Sequence, residues 1–188
     1  MLDLDIVEVT DLLIAPPPMV DPVFAQTVMM VTQATERQHV ALCINRPSEY
    51  TVRDLGHKVG VDLDSDEPLY WGGPVSAGTI WLLHDNLWQS DNTFNLNQHL
   101  SMTSSNQMFS EIGSRHLPRH WRFIFGYACW SPGQLYGEIA GMPPWSRRHS
   151  WLTAELPLDP TWIFDTPSND MWQQATEISG RQAVRSWI

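Results

Sequence analysis

The sequence contains very little positive charge. Its 188 residues include 11 Lys or Arg against 21 Asp or Glu, which gives a formal net charge of −10, and Lys58 is the only lysine. Binding through phosphates needs a basic face that displaces counterions, and an acidic protein repels a phosphate backbone. The composition therefore argues against direct DNA binding.

Cysteines and long apolar runs are also scarce. Cys43 and Cys129 are too few for a disulfide framework and lack a zinc-binding Cys-x-x-Cys spacing, so we expect neither a metal nor a cofactor. The stretch LLIAPPPMV is interrupted by prolines and falls short of the ~18 apolar residues of a membrane span. The acidic start MLDLDIVEVTD is unlike a secretory signal. We expect a cytoplasmic protein without membrane contact.

The chain does contain enough apolar sequence for a core, since 43% of its residues are hydrophobic. Turn residues separate nine strand-like segments, at 12–16, 27–33, 39–45, 69–72, 79–84, 94–102, 121–128, 151–156 and 162–164. The pattern predicts an α+β fold in which one domain, residues 1–188, has a mixed, twisted β-sheet of about nine short strands covered by about four helices.

Capping patterns predict where the helices begin. Polar pairs three residues apart start the first three helices: Thr51 with Asp54, Ser104 with Gln107, and Ser131 with Gln134. Pro132 then stands at the first helical position, where its missing N–H costs nothing. The fourth helix runs through SNDMWQQATEISG to Gly180.

The stretch IFGYACWSPGQLYGEI, residues 124–139, places Cys129 between a strand and a helix. The free N–H groups of a helix start lower the pKa of a nearby thiol, which favours a nucleophile. A nucleophile also needs a base, and the sequence ties no particular histidine to Cys129. Because free cysteine is among the most frequently buried residue types, we favour a core position and assign no catalytic residue.

Residues at strand ends and tight turns are the candidates for ligand binding. A guanidinium at a strand end can grip an anion or a carboxylate, and paired glycines before a proline let another group approach the backbone. The candidates are Asn45, Arg46, Gly72, Gly73, His84, Trp130 and Gln134.

An ordered set of motifs spans nearly the whole chain: LLIAPPPMVDPVF (12–24), INRP (44–47), GGPV (72–75), LLH (82–84), GYACWSPGQL (126–135), WL (151–152), IFD (163–165) and Trp172 followed by Gly180. In this order they resemble the YqgE/AlgH family. The resemblance implies a compact α+β domain from a bacterium or a bacteriophage. A bacteriophage protein of this kind would lie in the cytoplasm of the host. The family is named for transcriptional regulation and has no established biochemical activity.

The chain also departs from the family pattern. Cys129 and Tyr136 stand where the family usually has Gly and Glu, respectively. Because the family usually has glycine at the position of Cys129, a catalytic cysteine shared by the family is not expected there. Residues 141–150, GMPPWSRRHS, resemble an insertion after the GQL helix and form a candidate binding loop. Its candidate binding residues are Trp145, Arg147 and Arg148.

Two functional hypotheses remain. In the first, the chain is an acidic protein-interaction module that modulates a partner, with the transcription machinery as the suggested class; its ten Trp and its arginines are residue types favoured at interfaces. In the second, it binds a small anionic ligand or performs hydrolysis at strand ends around Arg46, Gly73, His84 and Trp130. We favour the first and expect no enzymatic activity.

Overall fold

The computed structural model describes residues 7–145, 150–157, 159 and 161–185. The strands are β1 (Leu12–Ile14), β2 (Val28–Ala34), β3 (His39–Cys43), β4 (Pro47–Thr51), β5 (Pro68–Trp71), β6 (Val75–Asp85), β7 (Thr93–Asn95), β8 (Leu100–Thr103), β9 (Trp121–Trp130) and β10 (Leu152–Ala154). The helices are α1 (Val52–Val59), α2 (Asn106–Gly113), α3 (Gln134–Ala140), α4 (Trp162–Asp165) and α5 (Ser168–Arg185). Within the described ranges, no helix is long and apolar enough to cross a membrane.

The strands form one sheet in the order β10-β1-β2-β3-β9-β6-β8-β7. Strand β5 branches from this order, because it pairs in parallel with β9 and antiparallel with β4. The other pairs are antiparallel. The sheet is therefore mixed and carries helices on it, which confirms the predicted α+β class.

The two faces of the sheet bury different side chains, because successive residues of a strand point to opposite faces. On one face, Leu12 and Met30 pack in a cluster with Met171 of α5. On the other face, Leu13 belongs to a cluster with Leu135 of α3. Helices α1 and α2 complete a third cluster around β6 and β9. Helix α3 thus covers the end of the sheet where β3 meets the last residues of β9.

Helix α1 begins as the capping pattern predicts. The Thr51 hydroxyl accepts the Asp54 N–H, the Asp54 carboxylate accepts the Thr51 N–H, and the helix stops at Gly60. Helix α2 is capped by Ser105, one residue after the predicted Ser104.

Helix α3 begins later than predicted. The Gln134 side chain accepts the Ser131 N–H at 3.1 Å, so the predicted pair is present. The helical backbone nevertheless starts only at Gln134, because Gly133 has a left-handed conformation with a φ of 74°. Pro132 lies in the preceding turn and not at the first helical position, which corrects the prediction.

Three strand predictions also need correction. Segment 94–102 forms two strands, β7 and β8, because the N–H groups of Leu96 and Asn97 both bond to the Leu100 carbonyl in a tight turn. Residues 162–164 form helix α4, since Asp159 accepts the Thr161 N–H at 3.0 Å and opens a helical turn. Strand β4 was missed because its sequence, PSEYT, is polar and starts with a proline, which a strand paired on one side tolerates.

Candidate functional site

A groove of about 730 Å³ lies between the segment before β2, the end of β9 and helix α3. We call it the aromatic groove, because Phe24, Trp130, Trp145 and Trp151 are among its 15 lining residues. Its volume is within the range of about 300–1,000 Å³ that is typical of ligand sites. The motifs around 12–24 and 126–135 therefore meet at one surface.

The INRP motif holds one wall of the aromatic groove. The Asn45 side chain donates to the Gln26 carbonyl at 2.9 Å and accepts the Val28 N–H at 2.8 Å. The Arg46 guanidinium donates to the carbonyls of Val23 and Ala25. These bonds fix the segment that brings Phe24 and its neighbours to the groove.

Arg46 was predicted to grip an anion, and its guanidinium has other partners. Besides the two carbonyls, it lies 5.0 Å from the centroid of the Trp71 ring, at the distance of a cation–π contact. Two of its five N–H donors and its cationic face are thus engaged within the protein. As a ligand-binding residue Arg46 stays a prediction, while its observed contacts give it a positioning role.

The floor of the groove is built from perpendicular aromatic rings. Trp130 and Trp151 lie with ring centroids 6.0 Å apart at 84°, and Phe24 meets Trp151 at 5.6 Å and 77°. The ring of Trp145, which follows helix α3 in the chain, packs against Gly137 of that helix, where a Cβ would come within 2.2 Å of the ring. Gly137 therefore allows Trp145 to complete the aromatic surface.

Glu138 is the most constrained polar group of the groove. Its Oε2 accepts the indole N–H of Trp130 at 2.9 Å and that of Trp151 at 2.8 Å. Its Oε1 accepts the amide N–H of Gln134 at 2.9 Å, from one turn earlier on α3. The three donors hold the carboxylate in one orientation at the lining of the groove.

Cys129 is exposed, so the favoured core position is wrong. Its neighbours Ala128 and Trp130 point into the core with Leu135, and strand alternation turns Cys129 away from them. Helix α5 packs mainly against β10, β1 and β2 and leaves this end of β9 open. The Cys129 Sγ lies 3.9 Å from the Gln38 Oε1, and no hydrogen bond to a histidine is present among the described residues. The buried cysteine is Cys43.

The GGPV turn serves a close approach of two strands. A Cβ on Gly72 would lie 2.4 Å from the Gly126 carbonyl oxygen, and one on Gly73 would lie 2.1 Å from the Tyr127 carbonyl carbon. The Gly72 N–H also donates to the Phe125 carbonyl at 2.8 Å. The two glycines thus leave room for the backbone of β9. Pro74, which follows them, lines the aromatic groove.

His84 lies far from the groove, inside the core. It is opposite Trp121, at the other end of β9 from Trp130. Its Nδ1 contacts the Asp85 carbonyl at 2.7 Å, and its Nε2 contacts the Thr103 hydroxyl at 2.9 Å. Burial lowers the pKa of His84, which fits a neutral ring with both nitrogens bonded.

The groove brings together three of the predicted residues and adds others. Trp130, Gln134 and Trp145 line it, whereas Arg147 and Arg148 are outside the residues that the structure describes. The predicted binding residues do not include the two acidic lining residues and two of the aromatic ones, namely Asp21, Glu138, Phe24 and Trp151. The four-residue spacing of Gln134 and Glu138 on a predicted helix was a usable signal for the pair.

A second cavity, of about 960 Å³, lies between α1, α2 and β6. Its charged lining residues are Asp54 and Lys58, and Asp54 is already bound in the cap of α1. It contains none of the predicted binding residues. Across the part of the chain that the structure describes, no group of three or more His, Cys, Asp or Glu is placed to hold a metal ion. The aromatic groove is therefore the better candidate site.

Similar sequences cover almost the whole chain. A profile of the AlgH-like family matches residues 12–183. The UPF0301 protein of Vibrio atlanticus is 32% identical over 181 residues, which are 92% of this chain and 92% of that protein. A UPF0301 protein of Azoarcus sp. is 34% identical over 172 residues, which are 89% of this chain and 87% of that protein.

Two solved structures have the same fold. The solution structure of the AlgH protein from Pseudomonas aeruginosa matches with a TM-score of 0.73 and 30% identity, over 91% of this chain and 88% of that one. A crystal structure of a protein from Corynebacterium diphtheriae matches with a TM-score of 0.68 and 22% identity, over 89% and 85% of the two chains. The family profile, the sequence relatives and the AlgH structure agree with the motif order, and the chain belongs to the AlgH-like family.

Proposed function

We propose that this chain is an acidic protein-interaction module that holds a segment of a partner protein in the aromatic groove. The observation that carries the proposal is the exposed apolar rim of the groove. Val20, in its lining, is 81% exposed, and Val23, between two lining residues, is 37% exposed. Met142, whose carbonyl accepts the Trp145 N–H, is 46% exposed. Exposed apolar side chains beside a groove are a feature of interaction sites.

The composition of the groove favours a protein segment as its occupant. Aromatic side chains dominate the hot spots of protein interfaces, and half-buried tryptophans such as Trp145 offer a large contact area. The partner class that the family resemblance suggests is the transcription machinery. The module would then modulate it by protein contact, because the net charge of −10 disfavours direct contact with DNA.

A small anionic ligand is the weaker alternative at this site. The charged residues that line the groove are Asp21 and Glu138, and both are acidic. Arg46 points its donors at the carbonyls of Val23 and Ala25. An anion in the groove would meet like charge with no described cation to offset it.

The proposal is tested by substituting one rim residue and one matched residue elsewhere. Val20→Asn places an amide in the apolar contact, whereas Val184→Asn changes a valine that is 63% exposed on α5. Burying an amide without a hydrogen-bond partner costs about 1–3 kcal/mol. We expect the partner recovered from native cells with the wild-type protein to fall about tenfold for Val20→Asn, which corresponds to about 1.4 kcal/mol.

The Val184→Asn control tests whether the loss of the partner is specific to the rim of the groove. Val184→Asn should recover the same partner at the wild-type level, and the purified partner should show the same order of affinities by calorimetry. Equal recovery with Val20→Asn and wild type would place the interaction on another surface. Equal loss with both variants would point to a general defect of the module.

A further inference from the structure

We infer that the occupant of the aromatic groove carries a cationic side chain, Arg or Lys, between apolar residues, and that Glu138 receives the cation. The inference rests on the proposed function and deepens it, because it states which feature of the partner segment is recognised.

The negative charge of Glu138 is fixed in place without being neutralised by the described residues. Its three hydrogen bonds come from Trp130, Trp151 and Gln134, all of which are neutral donors. No described Arg, Lys or His forms an ion pair with it. A carboxylate offers about four acceptor positions, so one remains after these three bonds. A cationic donor in the groove would use that position and supply a positive charge that the described residues do not place beside Glu138.

The surroundings of Glu138 also suit a cation with an aliphatic stem. Apolar lining residues such as Met19 and Val20 can pack against the methylene groups of Lys or Arg, which bury their stems while the charged head finds a polar partner. The faces of Phe24 and Trp145 attract cations through their π-electrons. Asp21 adds a second negative charge at the lining. Charge and shape therefore favour the same kind of side chain.

Other occupants fit these observations less well. An acidic or phosphorylated segment would bring like charge to Asp21 and Glu138. A wholly neutral apolar segment would remove water from the Glu138 carboxylate without replacing its solvation, which is a costly way to bury a charge. A positively charged segment is also drawn toward a protein whose net charge is −10.

The probe for this inference is a pair of capped tripeptides, acetyl-Leu-Arg-Leu-amide and acetyl-Leu-citrulline-Leu-amide. Citrulline has nearly the shape of arginine and lacks the charge, so the pair isolates the cation. The readout is the indole N–H signals of Trp130 and Trp151 in nitrogen–proton NMR spectra, because both groups bond directly to Glu138. We expect the arginine peptide to shift both signals and to bind at least about tenfold more tightly than the citrulline peptide, a preference that weakens with added salt.

Three variants test whether the preference comes from Glu138. In Glu138→Gln the arginine preference should fall to less than about twofold, whereas Glu177→Gln, which removes an exposed carboxylate on α5, should keep it. Asp21→Asn retains the oxygen that accepts the N–H groups of Val23 and Phe24 and should reduce the preference less than Glu138→Gln does.

The outcomes separate the inference from the proposed function. Equal binding of the two peptides to the wild-type protein would overturn the inference while leaving an apolar interaction groove in place. Unshifted indole signals with the arginine peptide at millimolar concentration would also overturn it, whatever the cell-based test with Val20→Asn gives. The wild-type comparison needs no variant, so it decides the question even if Glu138→Gln does not fold.

Discussion

At the scale of single residues, the two cysteines have opposite environments. Cys129 is exposed at the groove, whereas Cys43 is fully buried and its burial raises the pKa of the thiol to about 11. Thiolates are the reactive form, and reagents reach only accessible sulfur atoms. We expect iodoacetamide to alkylate Cys129 in the folded protein and to modify Cys43 only after unfolding, as measured by mass spectrometry of digested fragments.

Cys129→Ser provides the control for this prediction. The variant should lose the rapid alkylation and keep its free energy of unfolding within about 0.5 kcal/mol, as is usual for a surface substitution. Rapid modification of Cys43 in the folded protein would contradict the burial of that residue. A large loss of stability in Cys129→Ser would show that the thiol contributes packing after all.

At the scale of elements, the close approach of the end of β5 and the following GGPV turn to β9 depends on glycine. A Cβ at Gly73 would lie 2.1 Å from the Tyr127 carbonyl carbon, so the two strands would have to move apart. Overpacking of this kind typically costs about 1–3 kcal/mol. We expect Gly73→Ala to lower the free energy of unfolding by about that amount or more in urea titrations.

Gly78 is the matched control for this substitution. A Cβ there has no heavy atom within 4 Å, although Gly78 lies only a few residues away in β6. Gly78→Ala should therefore change stability by less than about 1 kcal/mol. If both variants were equally stable, the close approach of β5 and β9 would not be a feature of the folded protein.

Local sequence signals predicted many elements because hydrogen bonds between residues close in sequence determine where those elements begin. The reciprocal bonds of Thr51 and Asp54 start α1, and the pattern of polar residues alone was enough to predict them. The strand prediction for residues 162–164 was wrong. Their aromatic and branched side chains suit a strand, but the turn that begins at Asp159 makes the segment helical. The polar strand β4 could not be found from hydrophobicity, since pairing with β5 defines it.

At the scale of the whole molecule, several of the ordered family motifs meet at one groove. Segment 12–24 supplies one wall, INRP ties that wall down through Asn45 and Arg46, and GYACWSPGQL supplies the opposite side. Trp172 does not line the groove. Its indole N–H donates to the Ala15 carbonyl at 2.8 Å, which links α5 to the residue that follows β1. These motifs thus supply many of the contacts that shape the groove.

The site could be predicted from the sequence only in part. Trp130 and Gln134 stand beside the turn that the motif marks, so their importance was visible. The meeting of Glu138 with Trp151 depends on how α3 and β10 pack, and no local pattern encodes it. The location of His84 in the core likewise follows from the pairing of β6 with β8 and β9, which the motif LLH does not reveal.

Photocrosslinking in native cells tests most directly whether the aromatic groove holds a segment of a partner protein. Benzoylphenylalanine replaces Val20 at the rim of the groove or Val184 on α5, two exposed positions of which only the first lines the groove. We expect one discrete protein adduct from position 20 and no such adduct from position 184. Acetyl-Leu-Arg-Leu-amide should compete with formation of the adduct, whereas its citrulline counterpart should not. The absence of an adduct at position 20, or the same adduct at both positions, would contradict the proposal.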